Sequence, residues 1–337
     1  MDIKTLLCEL SSRVSVGNIS EADDYAAEYL SKYAKTYKSD NGAVIATLKG
    51  KSDYTLMLDA HIDEVAFVVT GVDGDGFVTV NTCGGIDIRT LPAKSVTIHS
   101  KQKVTGVFCS IPPHLSPEDT DFEHITDFKI DSMLQSKAKE IISVGDFVTF
   151  NTKPYELLNG RLSGKSFDDR AGCTVLLELA KRLSKKELPF NVTFVLSDME
   201  ELGLRGAKTA SYEVSPDEAI AIDVSFGDAP DVSSDDCGKL SNGAMIGISP
   251  VLDKAVTNKL FDIAKQNSIP YQSEVMGRST GTNSDIISVN KSGVKTGLVS
   301  IPIRNMHTDN EVIDVADIES VCDLLEKYIL SRGVMNV

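Results

Sequence analysis

Hydrophobic positions along this chain change their spacing twice, and the changes divide it into three stretches. Through residues 21–37, EADDYAAEYLSKYAKTY places Tyr25, Ala26, Tyr29, Leu30 and Tyr33 on one stripe at helical spacing, with Ser20 in position to cap it. The first roughly 40 residues are therefore expected to be helical. AVIATL (43–48) and YTLMLDA (54–60) are short apolar runs, as expected of strands buried in a sheet. From about Ala66 the segments become short and rich in valine and threonine: VAFVVTGVDGDGFVTVNT, KSVTIHS, KVTGVFCSI and GDFVTFNT, separated by Gly, Asp, Asn and Pro. They predict a compact β-rich module with one helical interruption near SMLQSKAKEII.

After Arg161 helix and strand alternate. DDRAGCTVLLELAKRL, GLRGAKTAS, SPVLDKAVTNKLFDIAKQN and DVADIESVCDLLEKYILSRG read as helices, and NVTFVL, EAIAIDV and SGVKTGLVSI as strands. The predicted fold class is α/β, a central mixed sheet with helices on both faces. One catalytic domain would form from residues 1–65 and 162–337, interrupted by an inserted β-rich domain at 66–161.

Composition narrows the partners. A formal net charge of −15 lacks the basic footprint of a nucleic-acid binder. No apolar run approaches the ~20 residues needed to cross a bilayer, and the N-terminus has no signal-peptide core. The expectation is a soluble, cytoplasmic protein with no membrane partner. Its six cysteines are scattered without a C-x-x-C pair, which predicts buried reduced thiols rather than a thiolate metal site.

In an open α/β sheet ligands collect beyond the carboxyl ends of the strands, so those ends are where chemistry is sought. YTLMLDA runs into His61 and Asp63, VTFVL into Glu200 and Glu201, EAIAI into Asp223, and GLVSIPIRNM into His307. The helix after the insert starts with Asp168 in SFDDR. Two divalent ions ~3.5–4 Å apart need a bridging carboxylate and a few terminal His or carboxylate ligands, and this inventory supplies them without cysteine. Each feature also has an ordinary reading: a structural histidine, an N-cap with a charge pair, a solvated acidic turn. His61 and Asp63 would point to one side of an extended chain, so Asp63 can fix the imidazole's tautomer or simply face solvent. Of the other histidines, His99 and His124 fall in a strand and a loop of the insert, while His114 stays a candidate on a proline-stiffened loop.

The stretches AHIDEVAF (60–67), GVFCSIPPHL (106–115), GKSFDDRAG (164–172), MEELGLRGA (199–207), AIDVS (221–225) and NMHTDNEV (305–312) together resemble the dinuclear-metal aminopeptidases of peptidase family 42, the TET and glutamyl aminopeptidases. They span the chain from its first third nearly to its end, in the family's order. The resemblance implies a zinc-peptidase α/β domain with an inserted PDZ-like or β-barrel domain. It implies two divalent ions per subunit, zinc foremost, with cobalt or manganese as alternatives. His61 and Asp223 would hold one ion, Glu201 and His307 the other, with Asp168 bridging; Glu200 would be the general base and Asp63 the orienter of His61. Short peptides would be the substrate and a homo-oligomer, a tetrahedral dodecamer, the assembly. Two departures from the family pattern, Met199 before the paired glutamates and Asn283 where Asp is common, are expected to lie near the site and bear on substrate preference.

The expected reaction is hydrolysis of the N-terminal peptide bond by a metal-bridged hydroxide, with Glu200 taking the proton. A related dinuclear amidohydrolase or deacylase is the alternative within the fold. An endoglucanase-type glycosidase fits less well, because it needs carboxyls ~5–9.5 Å apart flanking a sugar. A metal-free binding protein would leave the ligand set unexplained. A preference for acidic N-termini would need a cation near the metals, for which Arg89, Lys94, Lys254 and Arg304 are candidates.

Overall fold

The computed structural model describes residues 1–112, 114–115, 124–230 and 232–331. The N-terminal segment is not continuously helical. Helix α1 (Ile3–Ser11) and helix α2 (Glu21–Ser31) are separated by a tiny hairpin of β1 (Ser15–Val16) and β2 (Ile19–Ser20). Gly17 turns this hairpin at φ 58° and lies where a Cβ would fall 2.2 Å from the Phe147 ring, so only glycine fits there. The predicted helix also stops early. Lys35–Lys38 forms β3, an edge strand antiparallel to β4 (Val44–Leu48). The extended pairing of Thr36 and Tyr37 with β4 outweighs the helical spacing of Tyr33 with the residues before it.

The next strand, β5 (Thr55–His61), leads into the insert: β6 (Ala66–Val72), β7 (Val78–Cys83), β8 (Ser95–His99), β9 (Lys103–Phe108), β10 (Ile130–Asp131) and β11 (Phe147–Phe150), with the one-turn helix α3 (Ala138–Ile141). These six strands close into a barrel, so its sheet has no free edge. Alternate residues face inward, as in β9, where Val104, Gly106 and Phe108 are covered by the barrel and the residues between them are exposed. Phe67, Phe108, Phe128 and Phe150 stack edge-to-face at its centre.

The chain then returns through β12 (Tyr155–Glu156), β13 (Arg161–Gly164), α4 (Phe167–Leu183), β14 (Asn191–Ser197), α5 (Arg205–Val214), β15 (Glu218–Phe226), β16 (Ala244–Ile248), α6 (Lys254–Gln266), β17 (Tyr271–Val275), α7 (Ser284–Ile287), β18 (Lys295–Arg304), β19 (Glu311–Asp314) and α8 (Val315–Ser331). They join the N-terminal strands in an 11-stranded mixed sheet of order β12-β13-β19-β18-β15-β5-β14-β4-β3, with β16 paired to β18 and β17 to β16. Its centre is parallel: β14, β5, β15 and β18 all run one way. Helices cover both faces. Leu56, Leu58, Phe194 and Ile220 pack under α1, α2, α4 and α8, whereas Met57, Val195 and Ala219 pack under α5 and α7. No helix among the described residues is long and apolar enough to cross a membrane, and all six cysteines are free thiols.

Where β5 passes into the barrel, Glu64 meets Lys165 and Arg170 in a fully enclosed ion cluster. Lys165 Nζ and the Ser166 hydroxyl both donate to Glu64 Oε2, and Arg170 Nη2 stands 3.6 Å from Oε1. Arg170 also donates to the Leu10 carbonyl at 2.8 Å, tying α4 to α1.

Candidate active site

Parallel strands bring their carboxyl ends to one edge, and this topology gathers residues far apart in sequence. His61 is the last residue of β5, and Ser197 beside it in the register ends β14 three residues before Glu200. Asp223 lies on β15, His307 follows β18, and Asp168 sits in the first turn of α4, where the backbone is not helical. The Asp168 carboxylate stands between the two histidines, Oδ1 3.0 Å from His61 Nε2 and Oδ2 3.1 Å from His307 Nε2. Glu201 Oε1 is 3.2 Å from His307 Nε2, and Glu200 Oε2 is 4.0 Å from His61 Nε2. Three sets of donor atoms, each set within 4.8 Å, could hold an ion: Asp168, Glu201 and His307; His61, Asp169 and Asp223; and His61, Glu200 and Glu201.

The turn that presents the glutamates is built by backbone. Met199 takes φ 57°, Gly203 takes φ 101°, and the Gly203 N–H donates to the Glu200 carbonyl at 2.8 Å. Asp63 secures it, accepting the Glu200 N–H at 3.0 Å and the Glu201 N–H at 3.2 Å. Its oxygen lies 3.4 Å from His61 Nδ1, a looser contact than those two amide bonds. Asp63 thus holds the glutamate loop at least as firmly as the imidazole.

Two further acids belong to this arrangement. Glu311 is buried and accepts the N–H groups of Phe167, Asp168 and His307 at 2.6, 3.2 and 2.9 Å, coupling the loops that carry Asp168 and His307. The stretch NMHTDNEV contained it, but nothing in its spacing distinguished it from a surface acid. Asp169, fully buried, points one oxygen at the Gly172 N–H and leaves the other without a partner. In sequence it was half of a D-D-R run, which reads as a helix cap.

Burial has set the carboxylates against one another. It raises Glu200, helped by the charges of Glu201, Asp168 and Asp63, to a pKa of about 7. Burial likewise raises Glu201, and it raises Asp169, Asp223 and Glu311 well above the ordinary carboxylate range. Burial alone would lower the histidines, but hydrogen bonds donated to their acidic neighbours win: His61 is raised well above normal and His307 to about 11. For Asp168 burial is outweighed by the two imidazoles, which lower its pKa. Buried carboxylates at this density need positive charge, and His61 Nδ1 and Asp169 Oδ2 are buried polar atoms with no hydrogen-bond partner among the described residues. The donor set fits divalent cations that accept imidazole nitrogen and carboxylate oxygen.

The cluster opens on a cavity of about 460 Å³. None of the proposed cations lines it. Arg304 is paired with Asp228 at 2.9 Å, Lys94 with Asp309 at 2.7 Å, Arg89 with Asp87 at 2.6 Å, and Lys254 borders a separate apolar groove. Met199 and Asn283 do not line it either. Asn283 is buried below, donating to Asp59 at 2.7 Å and Ser197 at 2.9 Å, and so anchors the Thr280–Gly281–Thr282 segment that does reach the cavity. His114 is exposed and apart from the cavity, and His99 bonds to Thr149 in the barrel.

A mixed α/β sheet with an inserted barrel, and a pocket of imidazoles and carboxylates beyond its parallel strands, defines a class of metallopeptidases. The chain belongs to the M42 glutamyl aminopeptidase family, whose profile matches residues 42–324. It is 31% identical over 312 residues to the lysyl aminopeptidase of Pyrococcus furiosus, covering 89% of this chain and 88% of that one. The aminopeptidase APDkam598 of the archaeon Desulfurococcus kamchatkensis superposes with a TM-score of 0.91 at 31% identity, over 97% of this chain and 94% of that one. The TET1 peptidase of Pyrococcus horikoshii, which can assemble into a tetrahedron or a large octahedral shell, superposes at 0.86 with 28% identity, over 97% and 99%.

Proposed function

We propose that this protein is a dinuclear metalloaminopeptidase that removes N-terminal residues from short peptides, with Glu200 as general base. One observation carries the reading: a single carboxylate, Asp168, offers one oxygen to each of two histidines while Glu201 and Asp223 flank the pair. In this reading His61 and Asp223 would hold one divalent ion and Glu201 and His307 the other, with Asp168 available to both. Zinc is the first choice, with cobalt or manganese compatible with the same donors. When bound, such ions would supply Lewis acidity and lower the pKa of a water they hold.

The chain's own groups do the rest. Glu200 points its carboxylate into the cluster without belonging to the set around Asp168 and His307, placed to take a proton and later return it to the leaving amine. Asp63 keeps Glu200 and Glu201 in register by accepting both of their amides and contacts His61 from the ring's other side. Glu311 fixes the loops that bear Asp168 and His307. Action in the cytoplasm and assembly as a homo-oligomer, such as a tetrahedral dodecamer, accord with the acidic chain and with the assembling TET1 relative. The family description and the Pyrococcus furiosus relative name side chains of opposite charge, which leaves the choice of substrate to the cavity walls.

Glu200→Gln tests the base. It is expected to keep the metal content of the wild type, read by elemental analysis, while kcat on aminoacyl anilides falls ~10³-fold. A variant that retains most of its kcat would end the assignment.

A further inference from the structure

The cavity contains a carboxylate that the ion-holding cluster does not use. Glu274 lies on β17 and lines the cavity together with His61, Asp168 and Asp223, yet it is in none of the donor sets close enough to share an ion. Its Oε2 accepts the Ser300 hydroxyl at 2.6 Å, and Ser225 is a second hydrogen-bond partner. Ser300 is the register partner of Asp223, and Ser225 follows Asp223 by two on the same strand. Both serines therefore share the sheet face of Asp223. Burial raises the Glu274 pKa and the two hydroxyls counter it, the arrangement of a carboxylate held ready for a cation.

Among the described residues nothing in the cavity supplies that cation: apart from His61 and His307, already engaged by Asp168, no basic side chain lines it. The remaining walls include the apolar Val224, Phe226 and Met306. A wall that combines apolar surface with one carboxylate suits a long side chain ending in positive charge, whose methylenes cover the apolar part. An acidic side chain would meet Glu274 with no counter-charge.

We infer that Glu274 is the specificity-determining residue of the cavity, selecting peptides that begin with lysine or arginine by pairing with the terminal cation of that side chain. The inference rests on the aminopeptidase reading, and the test separates the two. Full-length protein loaded with zinc or cobalt is assayed on the p-nitroanilides of Lys, Arg, Leu and Glu. The basic substrates should have the highest kcat/KM and Glu the lowest. Glu274→Gln should lower kcat/KM for Lys and Arg by roughly 30–100-fold, chiefly through KM, and leave Leu within about 2-fold, which also certifies the fold. A wild type that treats Lys and Leu alike, or an unchanged Lys:Leu ratio in the variant, overturns it. In parallel, calorimetry compares L-lysine with L-norleucine, which has the same chain without the ammonium. Lysine should bind more tightly to the wild type and lose that advantage in Glu274→Gln; equal binding to the wild type overturns the inference. If no anilide is hydrolysed, the aminopeptidase reading falls, and the lysine–norleucine comparison still decides the role of Glu274.

Discussion

Glu64 and Asp63 are neighbours in sequence, yet they enter two clusters of buried charge that obey opposite rules. Around Glu64 the signs balance. Lys165 and Arg170 face Glu64, the charge of the buried Asp23 acts on Arg170 as well, and Ser166 and the Ser15 N–H complete the bonding of Glu64. Around Asp63 they do not: Asp168, Asp169, Glu200, Glu201 and Asp223 crowd two imidazoles, with no lysine or arginine on the cavity wall among the described residues. A balanced cluster finds its counter-charge within the chain, and this one fastens α1, α4 and the start of the barrel together. An unbalanced one is completed only by charge from outside, and that distinguishes a binding site from a joint.

Chelation strikes the unbalanced cluster alone and should have the largest effect. Exhaustive removal of divalent ions should abolish hydrolysis and lower stability by about 3 kcal/mol per ion relative to protein held near 100 times the ions' Kd. In the ion-free protein Glu200 has its pKa raised from 4.5 to about 7, so the folded state binds its proton more tightly than the unfolded chain does. That contribution is present below pH 4.5 and lost as pH rises toward 7; raised His61 and His307 extend the same slope upward. Melting temperature followed from pH 5 to 8 should fall in the chelated protein and stay flatter in the loaded one. Equal slopes would mean that ions do not occupy the cluster.

Glu64→Gln breaks the balanced cluster. It leaves Lys165 and Arg170 buried without their anion and should cost ~3–5 kcal/mol in denaturant unfolding, with the ion stoichiometry unchanged. A mild effect there would mean water reaches the joint. The smallest expected effect has the opposite sign. Glu201→Gln removes one of several repelling carboxylates, so the ion-free protein should gain about 1 kcal/mol while the loaded protein loses bound metal. Destabilisation without loss of metal would show that Glu201 belongs to a structural cluster like that of Glu64.

Much of this was legible in one dimension because it is local. Apolar runs without alternation marked β4, β5 and β14, and the valine-rich segments with turn residues between them marked the barrel strands. Polar residues where such runs end marked His61, Glu200, Glu201, Asp223 and His307. The failures are equally local in origin. The stretch read as helical through Tyr37 turns into an edge strand at Lys35 because β4 offers backbone partners, which hydrophobic spacing does not record. The short strands β16, β17 and β19 follow no clear alternation, and each is held by pairing to a neighbour fixed elsewhere.

The sequence by itself therefore determined which faces are buried, where the strands end and which acids and imidazoles stand at those ends. Period, composition and chain direction are properties of neighbouring residues. Only the tertiary structure decided who meets whom. Strand order set β5 between β14 and β15, letting Asp63 hold the amides of Glu200 and Glu201 and letting Asp168 stand between His61 and His307. It also turned Arg304 and Lys94 away toward Asp228 and Asp309 and set Glu274 in the cavity wall. Such contacts join residues many tens of positions apart, and their energies depend on burial and on the charges nearby, neither of which exists until the sheet has closed.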